Sequence, residues 1–329
     1  MADGITTIRI WILAAIACAA CMLSAPASAQ SIMARAAEQG MSAAQDSAQV
    51  HYIRAARLAQ QGRYGPAIAA MHTAIEYLPN EPQLKVELAV LQAAIGDFDG
   101  AVSTLTPVAE KSPPYPLAIM QLGDLYLSRE DTAKANAQYR RLTKGPEPFP
   151  PAFVRLGDVM QSDGRRGQAI QLYREALRID PEYVEAYLRI GSVYIVEDRY
   201  GQAMEMFNAA VNIAPEDQVV NYMRMLAEQR KADFEEGMAQ NKMRARIIVV
   251  ETEAEATDIR RQLDAGADFI ALAVNESIHP SAEVGGDLGF FGPGDMIPAF
   301  ENTTARLRVG QYSQPVRIPT GWAIVLRSN

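Results

Sequence analysis

Two stretches of the sequence, RLGDVMQSDGRRGQAIQLYREALRIDPE at residues 155–182 and RIGSVYIVEDRYGQAMEMFNAAVNIAPE at residues 189–216, repeat one pattern with an offset of 34 residues. The pattern extends backwards in the same register, and a small residue marks the first half of each copy: Ala55, Ala89, Gly123, Gly157 and Gly191. An alanine follows each of these twelve positions later: Ala67, Ala101, Ala135, Ala169 and Ala203. This fixed period predicts a stack of equivalent units.

Large side chains and prolines occupy the second half of each unit. The large side chains are Met71, Leu105, Tyr139, Tyr173 and Phe207. Prolines close four units, at Pro79, Pro113, Pro181 and Pro215, whereas the third unit has Glu147 between Pro146 and Pro148. Each unit therefore predicts two helices, in which the small residue lets them approach and the large residue fills the gap to the next unit. Proline ends the second helix because it lacks an N–H and clashes with the preceding turn.

The period and these residues resemble the tetratricopeptide repeat family. We expect five such repeats at residues 48–217, preceded by an N-terminal helical segment at residues 30–47. After Asp217 the helical pattern continues without the small-residue frame, which predicts a capping and connecting helix at residues 218–243. One helix pair cannot bury its own apolar face, so the units are expected to form an all-α solenoid.

In the tetratricopeptide repeat family, the first helices line a concave groove that binds peptides. The matching apolar positions here are Tyr52, Val86, Val90, Met120, Leu127, Val154, Leu188 and Ile195, together with Asp124 and Asp158. Few basic residues are expected on this face, which favours extended apolar segments over acidic tails as ligands. The alternative is that these side chains pack between repeats or against a helix at residues 31–39.

The N-terminus has the pattern of a secretory signal peptide at residues 1–29. Arg9 precedes an apolar run of 14 residues, which is shorter than the roughly 20 that span a bilayer. Ala27-Ser28-Ala29 has the spacing that signal peptidase accepts, which predicts cleavage after Ala29 and a periplasmic or otherwise exported protein. An uncleaved anchor is the alternative, and it is the only contact with a membrane that we expect.

The composition excludes several classes of function. The chain has 329 residues, more than one core usually holds, and a net charge of −8, which disfavours binding to nucleic acid. Both cysteines, Cys18 and Cys21, lie in the signal segment, so thiol chemistry is not expected in the mature chain. The three histidines are scattered along the sequence, and neither a metal site nor a cofactor is predicted.

Residues 244–329 have a different sequence pattern from the repeats, in which predicted strands alternate with predicted helices. RIIVV at residues 246–250 predicts a strand, and TEAEATDIRRQLDAG at residues 252–266 predicts a helix with a capping box. A second helix, a glycine-rich loop, a short helix to about Leu307 and two strands, PVRIP and WAIVL, follow. This order predicts an α+β domain with a small antiparallel sheet, so the chain is expected to be multidomain.

The strings ADFIALA, SIHPSAEVGGDLGFFGPGDMIPAFE, LRVGQYSQPV and PTGWAIVL resemble the parvulin family (PpiC, or rotamase, type). The resemblance covers residues 244–329 and implies a peptidyl-prolyl cis–trans isomerase, which rotates X–Pro bonds without metal or cofactor. It places the proline-gripping residues on Leu288, Phe291, Met296 and Phe300, and a hydroxyl on Thr320. The alternative is that these four apolar residues serve only to pack the core of the domain.

The polar positions depart from the family pattern. Where active parvulins have two histidines, this chain has Arg246 and Ala323, and the position of the family's Cys or Asp is His279. Two functions therefore stay open. One is an exported isomerase and folding factor whose repeats hold unfolded or partly folded exported proteins with X–Pro bonds. The other is a chaperone or assembly scaffold in which a weak or inactive isomerase domain only binds peptides.

Overall fold

A computed structural model describes residues 43–111, 113–145 and 147–329 of the chain. The predicted signal peptide, the predicted helix at residues 31–39 and Pro146 lie outside the described residues. Within the described part of the chain, no helix combines the length and the apolar composition that a bilayer crossing requires.

The first ten described helices pack as five consecutive pairs, as the period predicts. The pairs are α1 (Ala43–Gln60) with α2 (Tyr64–Tyr77), α3 (Pro82–Ala94) with α4 (Phe98–Ala109), α5 (Pro116–Ser128) with α6 (Thr132–Thr143), α7 (Pro150–Ser162) with α8 (Arg166–Ile179), and α9 (Val184–Val196) with α10 (Tyr200–Ile213). Helix α11 (Gln218–Ala239) follows, and it packs on α10. The all-α repeat solenoid predicted from the sequence is thereby confirmed.

Close contact between a small and a large residue holds the two helices of a pair together. A Cβ atom added to Gly157 would lie 2.3 Å from Cε1 of Tyr173, and one added to Gly191 would lie 2.6 Å from Cε1 of Phe207. Both rings are fully buried. The large residue therefore fills the space beside the small residue of its own unit, rather than only the gap to the next unit. Pro79, Pro113, Pro181 and Pro215 follow the second helices, where the pattern predicts them.

The contacts divide the chain into two compact units, of which the first ends at Pro148 and the second runs from Phe149 to Asn329. The first unit contains the helix pairs α1–α2, α3–α4 and α5–α6. The second contains α7 to α11 and the C-terminal α+β domain, so the last two repeats and that domain share one unit.

The C-terminal domain is built on a four-stranded sheet in the order β2-β1-β4-β3, with every neighbouring pair antiparallel. Its elements are β1 (Met243–Val250), α12 (Glu253–Asp264), α13 (Phe269–Glu276), a 3₁₀ helix (Pro280–Val284), β2 (Asp287–Phe291), α14 (Pro298–Arg306), β3 (Val316–Ile318) and β4 (Gly321–Arg327). The capping box predicted for α12 is present between Thr252 and Glu255.

The glycine-rich segment differs from its prediction as a loop. Five of its residues form β2, which pairs with β1, and β1 itself begins at Met243 rather than at Arg246. Gly286 allows this segment to lie close to the backbone of β1, because a Cβ there would lie 2.3 Å from the carbonyl oxygen of Ile247. Its glycines thus let a strand approach β1 closely, which a reading of glycine as loop-forming does not capture.

Side chains of β1 alternate between two apolar clusters, one on each face of the sheet. Ile248 and Val250 pack with α12 and α13 on one face. Ala245, Ile247 and Val249 face the other side, where α14 covers the sheet. We call this second group, with the residues of β2, β3, β4 and α14 that contact it, the apolar face.

We expect Gly157→Ala to destabilise the repeats by about 1–3 kcal/mol, because its methyl group would overlap the buried Tyr173 ring. Gly167→Ala is the matched control, since Gly167 lies on the neighbouring helix α8 and a Cβ added there would have no atom within 4 Å. That change is expected to raise stability by at most about 1 kcal/mol. Urea unfolding followed by circular dichroism checks both, and equal midpoints for the two variants would contradict the packing account.

Candidate functional site

The four residues that the parvulin resemblance assigns to the proline site lie together on the apolar face. Phe291 and Phe300 are only 1% and 3% exposed, and their ring centroids are 5.4 Å apart in a tilted arrangement. Leu288 and Met296 are partly buried and pack against the same cluster. The phenylalanines therefore form a rigid base, while the other two side chains remain partly accessible to a ligand.

Carboxylates fix the loop that presents Met296. The backbone N–H of Met296 donates to Oε1 of Glu301 at 2.9 Å, and that of Gly294 donates to the same oxygen at 2.8 Å. The N–H of Gly292 donates to Asp295 at 2.7 Å. These bonds hold the segment between β2 and α14 in one conformation, so the thioether starts from a fixed backbone.

Thr320 and Ala323 differ in exposure. Thr320 is exposed in the turn between β3 and β4, where Gly321 follows with a φ of 146° and a carbonyl group within 2.2 Å of an added Cβ. Ala323 is fully buried in the apolar face and pairs with Val249 of β1. Residue 323 therefore contributes only a methyl group to the apolar face.

His279 caps the 3₁₀ helix. Its Nδ1 accepts the backbone N–H of Ser281 at 3.1 Å and lies 2.8 Å from the hydroxyl of the same residue. An accepting Nδ1 places the proton of the neutral ring on Nε2. Burial lowers the pKa of His279, which favours this neutral form.

Arg246 lies on the opposite side of β1 from the apolar face, since it alternates with Ala245 and Ile247. Its side chain is buried, and Nη1 donates to the carbonyl oxygens of Val284 at 3.3 Å and Gly285 at 3.4 Å. Nη2 donates to the carbonyl oxygen of Val196 at 3.1 Å. The arginine thus links the loop before β2 to helix α9 of the fifth repeat.

Arg244, two residues before Arg246, is not among the site residues predicted from the sequence, yet it is the centre of a buried ion cluster. Its Nη1 lies 2.8 Å from Oδ1 of Asp198, and its Nε donates to Asp287 at 3.2 Å. The guanidinium also lies 5.7 Å from the ring centroids of Phe234 and Phe290. No sequence motif signals this cluster, because its members come from three separate segments of the chain.

The cluster sets the charge of Asp287. Burial alone would raise the pKa of this carboxyl group, but hydrogen bonds and charge from Arg244, with a further contribution from Arg246, outweigh burial and lower the pKa. The carboxylate also accepts the N–H of Gly289 at 3.0 Å. Asp287 is therefore ionised near neutral pH, and its carboxylate bonds to the backbone on the far side of Leu288.

The predicted groove residues divide by burial. Tyr52, Val86, Met120 and Val154 are buried between helices, which fits the packing alternative for these four. The other four, Val90, Leu127, Leu188 and Ile195, are half-buried.

Two arginines that are not among the predicted groove residues lie on the first helices of repeats four and five. Arg155 lies 3.4 Å from Glu185, and Arg189 lies 3.3 Å from Asp158 and 3.1 Å from Glu185. Tyr173 donates its hydroxyl to Asp158 at 2.9 Å. The charges of the arginines are thereby balanced by two carboxylates on the same helices.

Among residues 43–111, 113–145 and 147–329, no group of three or more histidine, cysteine, aspartate or glutamate side chains has the arrangement of a metal site.

Comparison with known proteins gives two matches to family models. Residues 240–329 match the PPIC-type PPIASE domain, and residues 58–111 and 161–226 match the tetratricopeptide repeat. The chain therefore carries tetratricopeptide repeats joined to a PPIC-type domain.

Similar curated proteins match about a quarter of the chain. A foldase protein PrsA of Geobacillus sp. (strain WCH70) is 47% identical over 85 residues, which are 26% of this chain and 31% of that protein. A chaperone SurA of Methylobacillus flagellatus is 46% identical over 80 residues, which are 24% of this chain and 18% of that protein. The chain thus spans about a third or less of the length of these relatives. A solved tetratricopeptide repeat protein of Thermus thermophilus aligns with 55% of this chain and 99% of its own, with 20% identity and a TM-score of 0.46.

Replacing Asp287 with asparagine is expected to lower the free energy of unfolding near pH 7 by about 3 kcal/mol or more, because Arg244 loses a buried counter-charge. The stabilisation by Asp287 is complete above the ordinary aspartate pKa of about 3.9 and is lost as the pH falls through the lower folded-state pKa. The difference between wild type and Asp287→Asn is therefore expected to shrink in acid.

Urea unfolding at pH 7 and pH 3 measures both effects. Glu276→Gln, which alters an exposed carboxylate on α13, is the control and is expected to change little at either pH. An Asp287→Asn variant as stable as wild type at pH 7 would contradict the ion-cluster account.

Proposed function

We propose that this protein is an exported peptidyl-prolyl cis–trans isomerase and folding factor, which holds client proteins in its repeats and rotates their X–Pro bonds at the apolar face. The observation that carries this proposal is the convergence of Leu288, Phe291, Met296 and Phe300 in one cluster. The match of residues 240–329 to the PPIC-type PPIASE domain, and the foldase and chaperone names of the relatives, support it. The signal-like residues 1–29 support export.

The reaction requires only that a site favours the twisted amide. Rotation about the X–Pro bond has a barrier of about 18–20 kcal/mol, and no covalent bond is made or broken. The amide loses its resonance in the transition state, so a dry apolar surface that grips the proline ring favours the twisted form. Phe291 and Phe300 supply a preformed base, and Leu288 and Met296 supply partly accessible walls.

His279 replaces part of the polar machinery in this proposal. Its neutral ring carries the proton on Nε2, which gives a hydrogen-bond donor near neutral pH without a positive charge. Arg246 serves a different purpose, because its guanidinium is engaged by Val196, Val284 and Gly285. The chemistry is therefore assigned to the apolar face and His279, and not to Arg246.

The repeats supply clients to the site. Val90, Leu127, Leu188 and Ile195 are the half-buried apolar side chains that extended client segments would contact. Holding a client close to the apolar face raises the local concentration of its prolines, so the two activities reinforce each other. The clients expected are unfolded or partly folded exported proteins.

A second candidate function is a chaperone or assembly scaffold in which the C-terminal domain binds peptides without accelerating isomerisation. The observation that favours it is the pair of altered polar positions: Ala323 offers only a methyl group, and Arg246 lies on the other side of β1. This candidate shares the client groove with the first and differs in the rate of X–Pro rotation.

Truncation of Leu288 and Met296, the two partly accessible side chains of the proposed site, tests the isomerase activity. Met296→Ala and Leu288→Ala are each expected to lower kcat/KM for an X–Pro peptide about tenfold, which corresponds to about 1.4 kcal/mol of transition-state binding. Val274→Ala, which removes an exposed apolar side chain from α13, is the matched control and is expected to retain the wild-type rate. NMR exchange spectroscopy of cis and trans peptide signals measures the rates.

The two candidate functions give different results in this assay. A wild-type chain that accelerates rotation, with a loss confined to the two wall variants, supports the isomerase. A wild-type rate equal to that in buffer rejects it and leaves the scaffold.

Polar substitution in the groove tests client holding. Leu188→Gln combined with Ile195→Gln is expected to weaken suppression of aggregation of a reduced, unfolded client severalfold, because the apolar contact area is lost. Tyr77→Gln is the control, since Tyr77 is exposed on the second helix of the first repeat. Light scattering reports the aggregation, and equal protection by all three chains would contradict the groove assignment.

A further inference from the structure

The turn between the two helices of each repeat contains one residue in the left-handed backbone region. These residues are offset by 34 positions, and their φ angles are 72° at Gly62, 81° at Gly96, 61° at Glu130, 74° at Gly164 and 60° at Asp198. Glycine adopts this conformation without strain, whereas a residue with a Cβ is strained there. The fifth repeat has a residue with a Cβ, Asp198, at a position where three of the other four repeats have glycine.

The carboxylate of Asp198 is shared by both buried arginines of β1. Oδ1 of Asp198 lies 2.8 Å from Nη1 of Arg244, and Oδ2 lies 3.5 Å from Nη2 of Arg246. Tyr200 donates its hydroxyl to Oδ1 at 2.8 Å. Each guanidinium side chain is only 5% exposed, so its charge depends on nearby carboxylates.

From the arginines, the contact continues to the backbone on either side of Gly286. Arg246 donates to the carbonyl oxygens of Val284 and Gly285, which precede it. Arg244 bonds to Asp287, whose neighbour Leu288 is one wall of the proposed proline site. Contacts from Asp198 through Arg244 to Asp287 thus connect the turn of the fifth repeat with the segment that carries Leu288.

The fourth repeat supplies a second, independent contact with the same domain. Its turn residue Gly164 lies close to α13, since an added Cβ would be 2.7 Å from the Cβ of Asp268. Arg166, which begins α8, donates through Nη2 to Asp268 at 2.8 Å. Because this contact remains when Asp198 is changed, loss of Asp198 is expected to loosen the strands without releasing the domain.

We propose that Asp198 is a positioning residue for the isomerase site: through Arg244 and Arg246 it holds residues 284–288 in place, so that the fifth repeat controls the activity of the C-terminal domain. This inference rests on the proposed function for its activity readout. A glycine would fit the backbone conformation at this position, but it would supply no carboxylate to Arg244 and Arg246.

The test compares Asp198→Gly and Asp198→Asn with Glu130→Gly in the full-length chain. Glu130 has the same left-handed conformation in the third repeat, and its side chain is exposed, so its replacement relieves the same strain without touching an arginine. Asp198→Asn keeps a side chain that tolerates the left-handed region and removes only the charge. Hydrogen exchange followed by mass spectrometry and kcat/KM for an X–Pro peptide are the two readouts.

Both Asp198 variants are expected to speed amide exchange at residues 243–250 and 284–291 about tenfold, with the helices at residues 184–213 protected as in wild type. They are expected to lower kcat/KM about tenfold, which corresponds to about 1.4 kcal/mol. Glu130→Gly is expected to leave exchange at these strands and kcat/KM unchanged.

Wild-type exchange and kcat/KM in both Asp198 variants would overturn the proposal, as would equal losses in Glu130→Gly. An inactive wild-type chain would overturn the proposed isomerase function alone. In that case the exchange readout still decides whether Asp198 holds residues 284–288, and unchanged protection there rejects it.

Discussion

Arg244 and Arg246 bring two positive charges into the interior of the second compact unit, with 5% of each side chain exposed. Neither charge is stable there without a counter-charge, and removal of one partner from such a pair costs about 3–5 kcal/mol. Asp287 comes from the same sheet, but Asp198 comes from the fifth repeat. Moving the sheet away from that repeat therefore separates both arginines from the carboxylate of Asp198, and this electrostatic constraint links the two kinds of domain.

Side chains of β1 alternate between the two faces of the sheet, so this one strand contributes to both the apolar face and the buried ion cluster. Its odd-numbered side chains build the apolar face on which Phe291 and Phe300 pack, while Arg244 and Arg246 lie on the other side. Charge is thereby kept away from the surface that would receive a prolyl ring. Arg246 consequently contacts helix α9 of the fifth repeat, and the apolar base is left intact.

The sequence predicts the repeats well because their packing is local: Gly157 and Tyr173 lie in adjacent helices, and the period repeats such pairs. It predicts the order of the C-terminal elements and the grouping of the four apolar residues through resemblance. It does not predict β2, because a glycine-rich strand is stable only beside β1. Nor does it predict the ion cluster, whose partners are far apart in the chain. The repeat frame does mark Asp198, together with Glu130, because the other three turns have glycine at this position.

The most direct measurement of this linkage is backbone ¹⁵N relaxation of the full-length chain. The buried ion cluster predicts that amides of α9 and α10 and amides of β1 to β4 fit one rotational correlation time, because they tumble as one body. A shorter correlation time for the strands than for those helices would contradict the account, since the sheet would then move independently of the fifth repeat and Asp198 would not be holding it.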